Sequence, residues 1–158
     1  VGLLNLYFSA MTEIIFEHGG TLDKYIGDGL MAIFGAPTAG EEDALNAVKA
    51  AVTMQKRLGQ LNSELKTEGL VGISVGIGLH TGEATIGYIG SDRRSEYTAI
   101  GDTVNLAARL ESNASGGQIL MSEATAAASG NLIPVNVRDP LTVKNRVQPV
   151  NVLEVRWS

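Results

Sequence analysis

The chain has 158 residues, a formal net charge of −5 and no cysteine. That length suits one domain, and the scattered Lys and Arg residues argue against a nucleic-acid or anionic-membrane surface, while still allowing a local basic pocket for phosphate. The lack of cysteine excludes disulfides and thiolate chemistry, and no apolar run approaches the roughly 20 residues that span a bilayer. We therefore expect a soluble, cytoplasmic domain with a small-molecule partner, within a full-length protein that could still be membrane-anchored.

An amphipathic helix is predicted at the start of the chain. Apolar residues recur at helical spacing from Leu3 to Ile15, and Gly19-Gly20 would end the helix. Because the helix is under way from the first residues, we expect the segment to begin inside a larger protein.

A hairpin is predicted next, around Gly27-Asp28-Gly29. Asp-Gly between two apolar, β-prone runs indicates a tight turn, because glycine adopts positive φ without steric cost. Asp28 would then lie at the hairpin tip, where a carboxylate flanked by glycines could bind a hard cation such as Mg²⁺ or Mn²⁺. Asp-Gly turns are common, so the turn alone favours a purely conformational role for Asp28.

A long helix and a glycine-rich strand are predicted after the hairpin. Acidic residues at 41–43 suit a helix N-terminus, and a periodic apolar face continues from Leu45 towards Gly69. In 71–79 the odd positions are Val, Ile or Leu and the even ones include three glycines, which predicts a strand with one bare face. Such a face marks close approach, so it suits either a partner surface or a helix of the same chain.

The second half of the chain alternates strands and helices. The sequence predicts a turn at 81–83, strands at 84–89 and 97–100, an exposed loop at 91–94, a helix from Gly101-Asp102-Thr103 to about Ser115, a strand at 118–121, a short helix capped by Ser122, and a closing strand at 150–157. The two predicted hairpins favour an α+β sheet with antiparallel pairs over a doubly wound parallel sheet.

Asn105 and Arg109 are the first candidate binding residues. They lie four positions apart on one helix face, away from the apolar face that carries Leu106 and Leu110. Arginine binds phosphate through two parallel hydrogen bonds and asparagine can orient a sugar, so the pair suits a nucleotide. The two residues alone favour an ordinary solvated face, and the sequence contains no Walker-type loop and no nucleophile with a neighbouring base.

Two longer motifs resemble a known family. Gly20-Thr21-Leu22-Asp23-Lys24-Tyr25-Ile26-Gly27-Asp28-Gly29-Leu30-Met31-Ala32 and Tyr97-Thr98-Ala99-Ile100-Gly101-Asp102-Thr103-Val104-Asn105-Leu106-Ala107-Ala108-Arg109-Leu110-Glu111 closely resemble the catalytic domain of class III adenylate and guanylate cyclases, and most of all a bacterial adenylate cyclase. The resemblance covers 1–158. It implies a ferredoxin-like α+β core with a mixed, largely antiparallel sheet, a head-to-tail homodimer, and upstream regulatory domains in the full-length protein.

The resemblance also implies a role for each of six residues. Asp28 matches a metal-binding aspartate for two divalent ions, Mg²⁺ or Mn²⁺. Lys24 and Thr98 match the pair that reads the purine, and a donor with an acceptor suits adenine, whereas guanylate cyclases typically carry Glu and Cys there. The other matches are a ribose-orienting Asn105, a transition-state-stabilising Arg109, and a triphosphate-binding Lys144, although Lys144-Asn145-Arg146 replaces the usual Lys-Gly-Lys.

The activity implied is cyclisation of ATP to 3′,5′-cyclic AMP and pyrophosphate, by in-line attack of the ribose 3′-oxygen on the α-phosphorus. The family's first strand and its first metal-binding aspartate, in a Phe-x-Asp-Ile-x-Gly-Phe motif, precede the first helix, so we expect 1–158 to lack both. A second interpretation is therefore an inactive nucleotide-binding or dimerisation module of the same fold. A guanylate cyclase is a third, which Lys24 and Thr98 disfavour.

Overall fold

The structure is a computed structural model that describes residues 2–90, 96–144 and 146–158, without the side chains of residues 89, 96 and 97. The predicted loop at 91–94 therefore lies outside the described residues. In chain order the elements are α1 (Gly2–Glu17), β1 (Thr21–Ile26), β2 (Gly29–Ile33), α2 (Asp43–Thr67), β3 (Ile77–Leu79), β4 (Thr85–Ile89), β5 (Glu96–Ile100), α3 (Asp102–Asn113), β6 (Ile119–Ser122), α4 (Glu123–Ala128), β7 (Val135–Leu141) and β8 (Val150–Val155).

The predicted hairpin is present as β1 and β2. These strands pair antiparallel with Ile26 opposite Gly29, which leaves a two-residue turn of Gly27 and Asp28. Gly27 has a φ of 59°, the left-handed conformation that glycine tolerates without strain. Asp28 is at the tip, as the sequence predicted.

A four-stranded sheet forms the centre of the fold, in the order β3-β6-β8-β7. β3 and β6 are parallel, while β6 with β8 and β8 with β7 are antiparallel; β4 and β5 form a separate antiparallel hairpin. The predicted α+β class with mainly antiparallel pairing is confirmed. β7 was not predicted, because Pro140 interrupts its pattern. The structure accommodates this proline at a register shift between Arg138 and Leu141.

Helices cover both faces of the central sheet. Alternate residues of β6 point to opposite sides, so Ile119 and Met121 pack with α2 and α4 while Leu120 packs with α3. On that second side Leu110 of α3 is fully buried against Leu120 and Val152. The apolar face of α3 is thereby fixed to the sheet, and its opposite face is exposed.

α1 connects the β1–β2 hairpin to the rest of the core. Tyr7 and Met11 of α1 are buried in a cluster with apolar residues of α2. The rings of Phe8 in α1 and Tyr25 in β1 lie 4.5 Å apart between centroids. The predicted first helix is confirmed, and among the described residues no helix has both the length and the apolarity needed to cross a membrane.

The strand predicted over 71–79 is wrong for most of its length, since β3 covers only Ile77–Leu79. Two polar residues of α2 bind the backbone of the segment that leads into β3. Asn62 Nδ2 donates to the carbonyl of Ile73 at 2.8 Å and its Oδ1 accepts the Ile73 N–H at 2.7 Å, while Gln55 Nε2 donates to the carbonyl of Val75 at 2.9 Å. These side chains replace the strand partners that backbone groups otherwise require.

The bare glycine face receives a helix of the same chain. A Cβ atom added at Gly78 would lie 2.6 Å from the carbonyl oxygen of Ala107, and one added at Gly76 would lie 2.6 Å from that of Ala114. Neither distance is sterically possible, so both glycines are required for the close approach of α3 and the turn that follows it. At these two positions the face is not available to a partner protein.

Candidate functional site

Asp23 joins two of the predicted site residues. The hydroxyl of Thr98 in β5 donates a hydrogen bond to Asp23 Oδ2 at 2.5 Å, and the Lys24 ammonium lies 4.0 Å from the same oxygen. The Asp23 side chain is only 5% exposed. We refer to Asp23, Lys24 and Thr98 as the Asp23 cluster. The structure therefore brings Lys24 and Thr98 together, through a third residue that the sequence analysis did not select.

A β-bulge in β1 explains how consecutive residues share this cluster. Leu22 is opposite Ala32 and Lys24 is opposite Met31, so Asp23 is the extra residue between them. In a regular strand the side chains of Asp23 and Lys24 would point to opposite faces, and a bulge breaks that alternation. The sequence carried one weak signal, because aspartate is uncommon inside a strand.

In the Asp23 cluster, Thr98 with its hydroxyl is buried and the side chain of Lys24 is exposed. Thr98 is 3% exposed as a whole residue, whereas the Lys24 side chain is 38% exposed. Opposite Thr98 in the β4–β5 hairpin stands Gly87, where an added Cβ would meet no described atom within 4 Å. Open space therefore adjoins Thr98 on the face that it shares with Gly87.

The other four predicted residues are exposed: Asp28 at the hairpin tip, Asn105 and Arg109 on α3, and Lys144 in the segment between β7 and β8. We call them the exposed set. Within the part of the chain that the structure describes, the side-chain polar groups of these four form no hydrogen bond or ion pair. The structure leaves them available, and it does not connect them to the Asp23 cluster.

Asp28 affects the electrostatics of α1 beneath it. The pKa of the Tyr7 hydroxyl is raised, first because the tyrosine is buried and then because Asp28 and Glu111 place negative charge near it. Asp28 of the hairpin and Glu111 of α3 therefore act on one buried group. Tyr7 remains neutral and serves as part of the core.

Arg146 ties the segment that contains Lys144 to the start of α3. Its Nη2 lies 2.5 Å from Asp102 Oδ2 in the first turn of that helix. The Arg146 N–H also donates to the carbonyl of Val143 at 3.1 Å, which closes a turn around Lys144. Arg146 is the third residue of the tripeptide that begins at Lys144. The middle residue, Asn145, lies outside the described residues.

His80 lies next to this ion pair. Its Nδ1 is 2.7 Å from the hydroxyl of Ser122, and burial lowers its pKa from the ordinary value of 6.5. Arg146 lowers the pKa of His80 further, and Asp102 opposes that change in part. This environment favours a neutral histidine that supports the structure.

Asp28 is suited to a hard cation but does not make a complete site. Mg²⁺ and Mn²⁺ prefer carboxylate and other oxygen ligands. Across residues 2–90, 96–144 and 146–158 no group of three or more acidic or histidine side chains is placed to hold a metal ion. Asp28 offers one carboxylate, so a metal site at the hairpin tip would require ligands beyond those that the structure places there.

A groove of about 570 Å³ lies away from all of these residues, between α1 and α2. Its lining includes Glu13, Thr53 and Arg57, and none of the six predicted site residues. The predicted site therefore does not coincide with this groove.

Comparison with known proteins is consistent across the chain. A sequence model described as the adenylate and guanylate cyclase catalytic domain matches residues 1–153. Adenylate cyclase 1 of Rhizobium meliloti is 33% identical over 98% of this chain, which spans only 24% of that protein. The guanylyl cyclase Cya2 is 42% identical with a TM-score of 0.90, covering 98% of this chain and 78% of that one. The adenylyl cyclase CyaB from P. aeruginosa is 35% identical with a TM-score of 0.91, covering 99% and 82%.

Proposed function

This chain belongs to the family of adenylate and guanylate cyclase catalytic domains, and we propose that it is an adenylate cyclase, which converts ATP to 3′,5′-cyclic AMP and pyrophosphate. The observation that carries the choice of ATP is the Asp23 cluster. Lys24 supplies a donor and Thr98 a hydroxyl beside one buried carboxylate, although Asp23 and Thr98 are 75 positions apart in the chain. Adenine presents an acceptor at N1 and a donor at N6, which this pair can match.

We propose that the exposed set acts at the reacting end of the nucleotide. The ribose 3′-oxygen loses its proton and bonds to the α-phosphorus, while the bond from that phosphorus to the leaving pyrophosphate oxygen breaks. Asn105 would orient the ribose, Arg109 would stabilise negative charge on the phosphoryl oxygens, and Lys144 would bind the triphosphate. Asp28 would help hold divalent cations, which in this chemistry offset charge on the attacking oxygen and the phosphates.

The proposed site is built between two copies of the chain, arranged head to tail. Lys24 and Asp28 lie on one short hairpin, four positions apart, yet their proposed partners are the base and the phosphates at opposite ends of ATP. A second chain removes this conflict, since Asp28 of one copy can face the Asp23 cluster, Asn105 and Arg109 of the other. Two-fold symmetry would then make two equivalent sites.

Further parts of the proposal concern the full-length protein. We propose that it supplies the family's first strand and first metal-binding aspartate before this segment, together with regulatory domains. We also propose that the segment itself contacts neither nucleic acid nor membrane and works in the cytoplasm.

A guanylate cyclase is the second candidate, because a protein described as a guanylyl cyclase is 42% identical to this chain. The two candidates differ in product. With Mg²⁺ or Mn²⁺, the full-length protein is expected to form cyclic AMP and pyrophosphate from ATP faster than cyclic GMP from GTP, as measured by chromatography of the products. Faster turnover of GTP would establish the second candidate, and binding without turnover of either would establish an inactive nucleotide-binding module.

Base selection is tested by exchanging the proposed pair. Lys24→Glu combined with Thr98→Cys reverses the donor and acceptor pattern, so we expect the ratio of kcat/KM for ATP to that for GTP to fall. Lys66→Glu makes the same lysine-to-glutamate change at an exposed position near the end of α2, and it is the matched control. An unchanged ratio in the exchanged pair would mean that other residues read the base.

A further inference from the structure

We propose that Asp23 is a positioning residue that determines base specificity, because its carboxylate fixes the Thr98 hydroxyl as a hydrogen-bond acceptor towards the purine. The inference rests on the proposed function, since it concerns the residues that read the base. It adds a third residue to the pair, one that need not touch the nucleotide.

Without a fixed neighbour, the Thr98 hydroxyl could act either as a donor or as an acceptor towards the base. Threonine carries one O–H donor and two acceptor lone pairs, and the hydroxyl rotates to suit its neighbours. An unconstrained Thr98 could therefore accept from the amino group of adenine or donate to the carbonyl of guanine. Thr98 alone would discriminate weakly between the two bases.

Both polar neighbours of the Thr98 hydroxyl are acceptors. An ionised carboxylate can only accept, and Asp23 Oδ2 lies 2.5 Å from Thr98 Oγ1. The second neighbour is the carbonyl oxygen of Ala99, at 3.4 Å, which also can only accept. The single proton of Thr98 is therefore committed inside the protein, mainly to Asp23, and only lone pairs remain for a ligand.

Asp23 also constrains Lys24. The ammonium of Lys24 has donors and no acceptor, and the carboxylate 4.0 Å away gives it a fixed negative neighbour. The cluster then presents one donor and one acceptor, the complement of N1 and N6 of adenine. Guanine would place its N1–H against Lys24 and its O6 against the lone pairs of Thr98, so both contacts would be repulsive.

Burial makes this arrangement selective. The Asp23 side chain is 5% exposed and Thr98 is 3% exposed, so little water is available to satisfy a mismatched group. A polar group left without a partner in such a place loses the free energy of its hydration. The bulge at Asp23 lets the carboxylate lie beside Lys24, because a regular strand would point the two side chains to opposite faces.

Asp23→Asn in the full-length protein tests the proposal. The amide has nearly the same shape, and its NH₂ group can donate to Thr98, which frees the hydroxyl proton to face the base. We expect the ATP:GTP ratio of kcat/KM to fall about tenfold, the effect of one mispaired hydrogen bond. Glu64→Gln removes the same charge from an exposed site on α2 and should leave the ratio unchanged.

A double-mutant cycle shows whether Asp23 acts through Thr98. Thr98→Val removes the hydroxyl and keeps the shape, so Asp23→Asn should change the ratio much less in that background than in the parent. Equal changes in both backgrounds would overturn the proposal. So would a lower Tm and a lower kcat for both nucleotides with an unchanged ratio, which is the result expected of a merely structural residue.

The outcomes separate this inference from the proposed function. If the parent protein cyclises neither nucleotide, the proposed function is wrong and this inference with it. If the parent prefers ATP and Asp23→Asn keeps that preference, only the inference is wrong. Should Asp23→Asn not fold, Asp23→Ser takes its place, since its hydroxyl also donates and accepts and is expected to lower the ratio in the same way.

Discussion

The Asp23 cluster and the exposed set are built on different physical principles. The side chains of Asp23 and Thr98 are buried and bonded to each other, whereas the side chain of Lys24 reaches solvent. The exposed set lies at the surface, and its side-chain polar groups have no partner among the described residues. One chain thus completes the part of the site proposed to read the base, and leaves the part proposed to act on the phosphates without partners.

This difference follows from the cost of burying charge. A carboxylate inside a protein requires hydrogen bonds to replace its hydration, and Thr98 supplies one to Asp23. An exposed charge stays hydrated until a ligand arrives, so Asp28 and Arg109 carry no such requirement. Substitutions in the Asp23 cluster should therefore change both stability and specificity, and those in the exposed set should change turnover alone.

The largest effect is expected for Arg109→Ala in the full-length protein. Removing a group that stabilises transition-state charge costs roughly 100- to 1000-fold in kcat. Because Arg109 has no ion pair with a described residue, the free energy of unfolding should stay within about 0.5 kcal/mol of the parent value. Cyclic nucleotide formation and urea unfolding measure the two quantities.

Arg156→Ala is the matched control, since it removes an exposed arginine beyond the last strand. Its kcat should equal that of the parent. The comparison between the two regions breaks down if Arg109→Ala unfolds the protein as readily as a core substitution does, because Arg109 would then be a structural residue.

Complementation between two inactive variants tests where the site is completed. In a head-to-tail dimer, Asp28→Ala and Asn105→Ala chains share one site with both defects and one site with neither. Random mixing of equal amounts gives half heterodimers, so about one quarter of the parent's sites should be active. Activity no higher than that of either variant alone, with heterodimers demonstrated by mass spectrometry, would mean that each site lies within one chain.

The elements that sequence predicted well are those with a local cause. Gly27-Asp28 specifies a turn by itself, and the apolar periodicity of α1, α2 and α3 specifies helices. The prediction of a strand over 71–79 was wrong because the groups that bind the backbone of this segment are not adjacent to it in the sequence. Asn62 and Gln55 lie among the apolar residues of α2, and nothing in their spacing indicates that they bind the backbone of Ile73 and Val75.

The candidate site divides in the same way. Exposure of Asn105 and Arg109 followed directly from the helical period, since Leu106 and Leu110 had to face the core. Asp23 could not be chosen from sequence, because strand alternation places it away from Lys24. The bulge is what brings the two side chains together. A bulge depends on the pairing of β1 with β2 rather than on either strand alone.

Thr98→Val is expected to lower the free energy of unfolding, and this effect is intermediate in size among the predictions. It leaves the buried Asp23 carboxylate without the hydroxyl that donates to it, which costs about 1–3 kcal/mol. Asn105→Ala, at an exposed position whose side chain has no described partner, should cost less than about 0.5 kcal/mol. Urea unfolding of both variants at neutral pH measures the contrast, and equal losses would remove the distinction between the two regions.

The smallest effect is expected from His80, which contacts Ser122 and lies near the ion pair of Arg146 with Asp102. Its neighbours Arg146 and Asp102 join the Lys144 segment to α3, whereas no histidine belongs to the Asp23 cluster. The folded protein lowers the pKa of His80 below 6.5, through burial first and Arg146 second, against the opposing charge of Asp102. Below pH 6.5 the unfolded chain therefore binds more protons at this residue than the folded chain does.

The contribution of His80 to stability is therefore complete above pH 6.5 and is lost as the pH falls through the lower, folded-state pKa. His80→Gln keeps a polar group near Ser122 but cannot titrate, so its free energy of unfolding should fall less steeply than the parent's on acidification. Urea unfolding at a series of pH values measures this difference. Parallel curves for the two proteins would show that His80 has the same proton affinity in both states. The ATP:GTP ratio should not change with His80→Gln, because this histidine is not in contact with the Asp23 cluster that we propose to read the base.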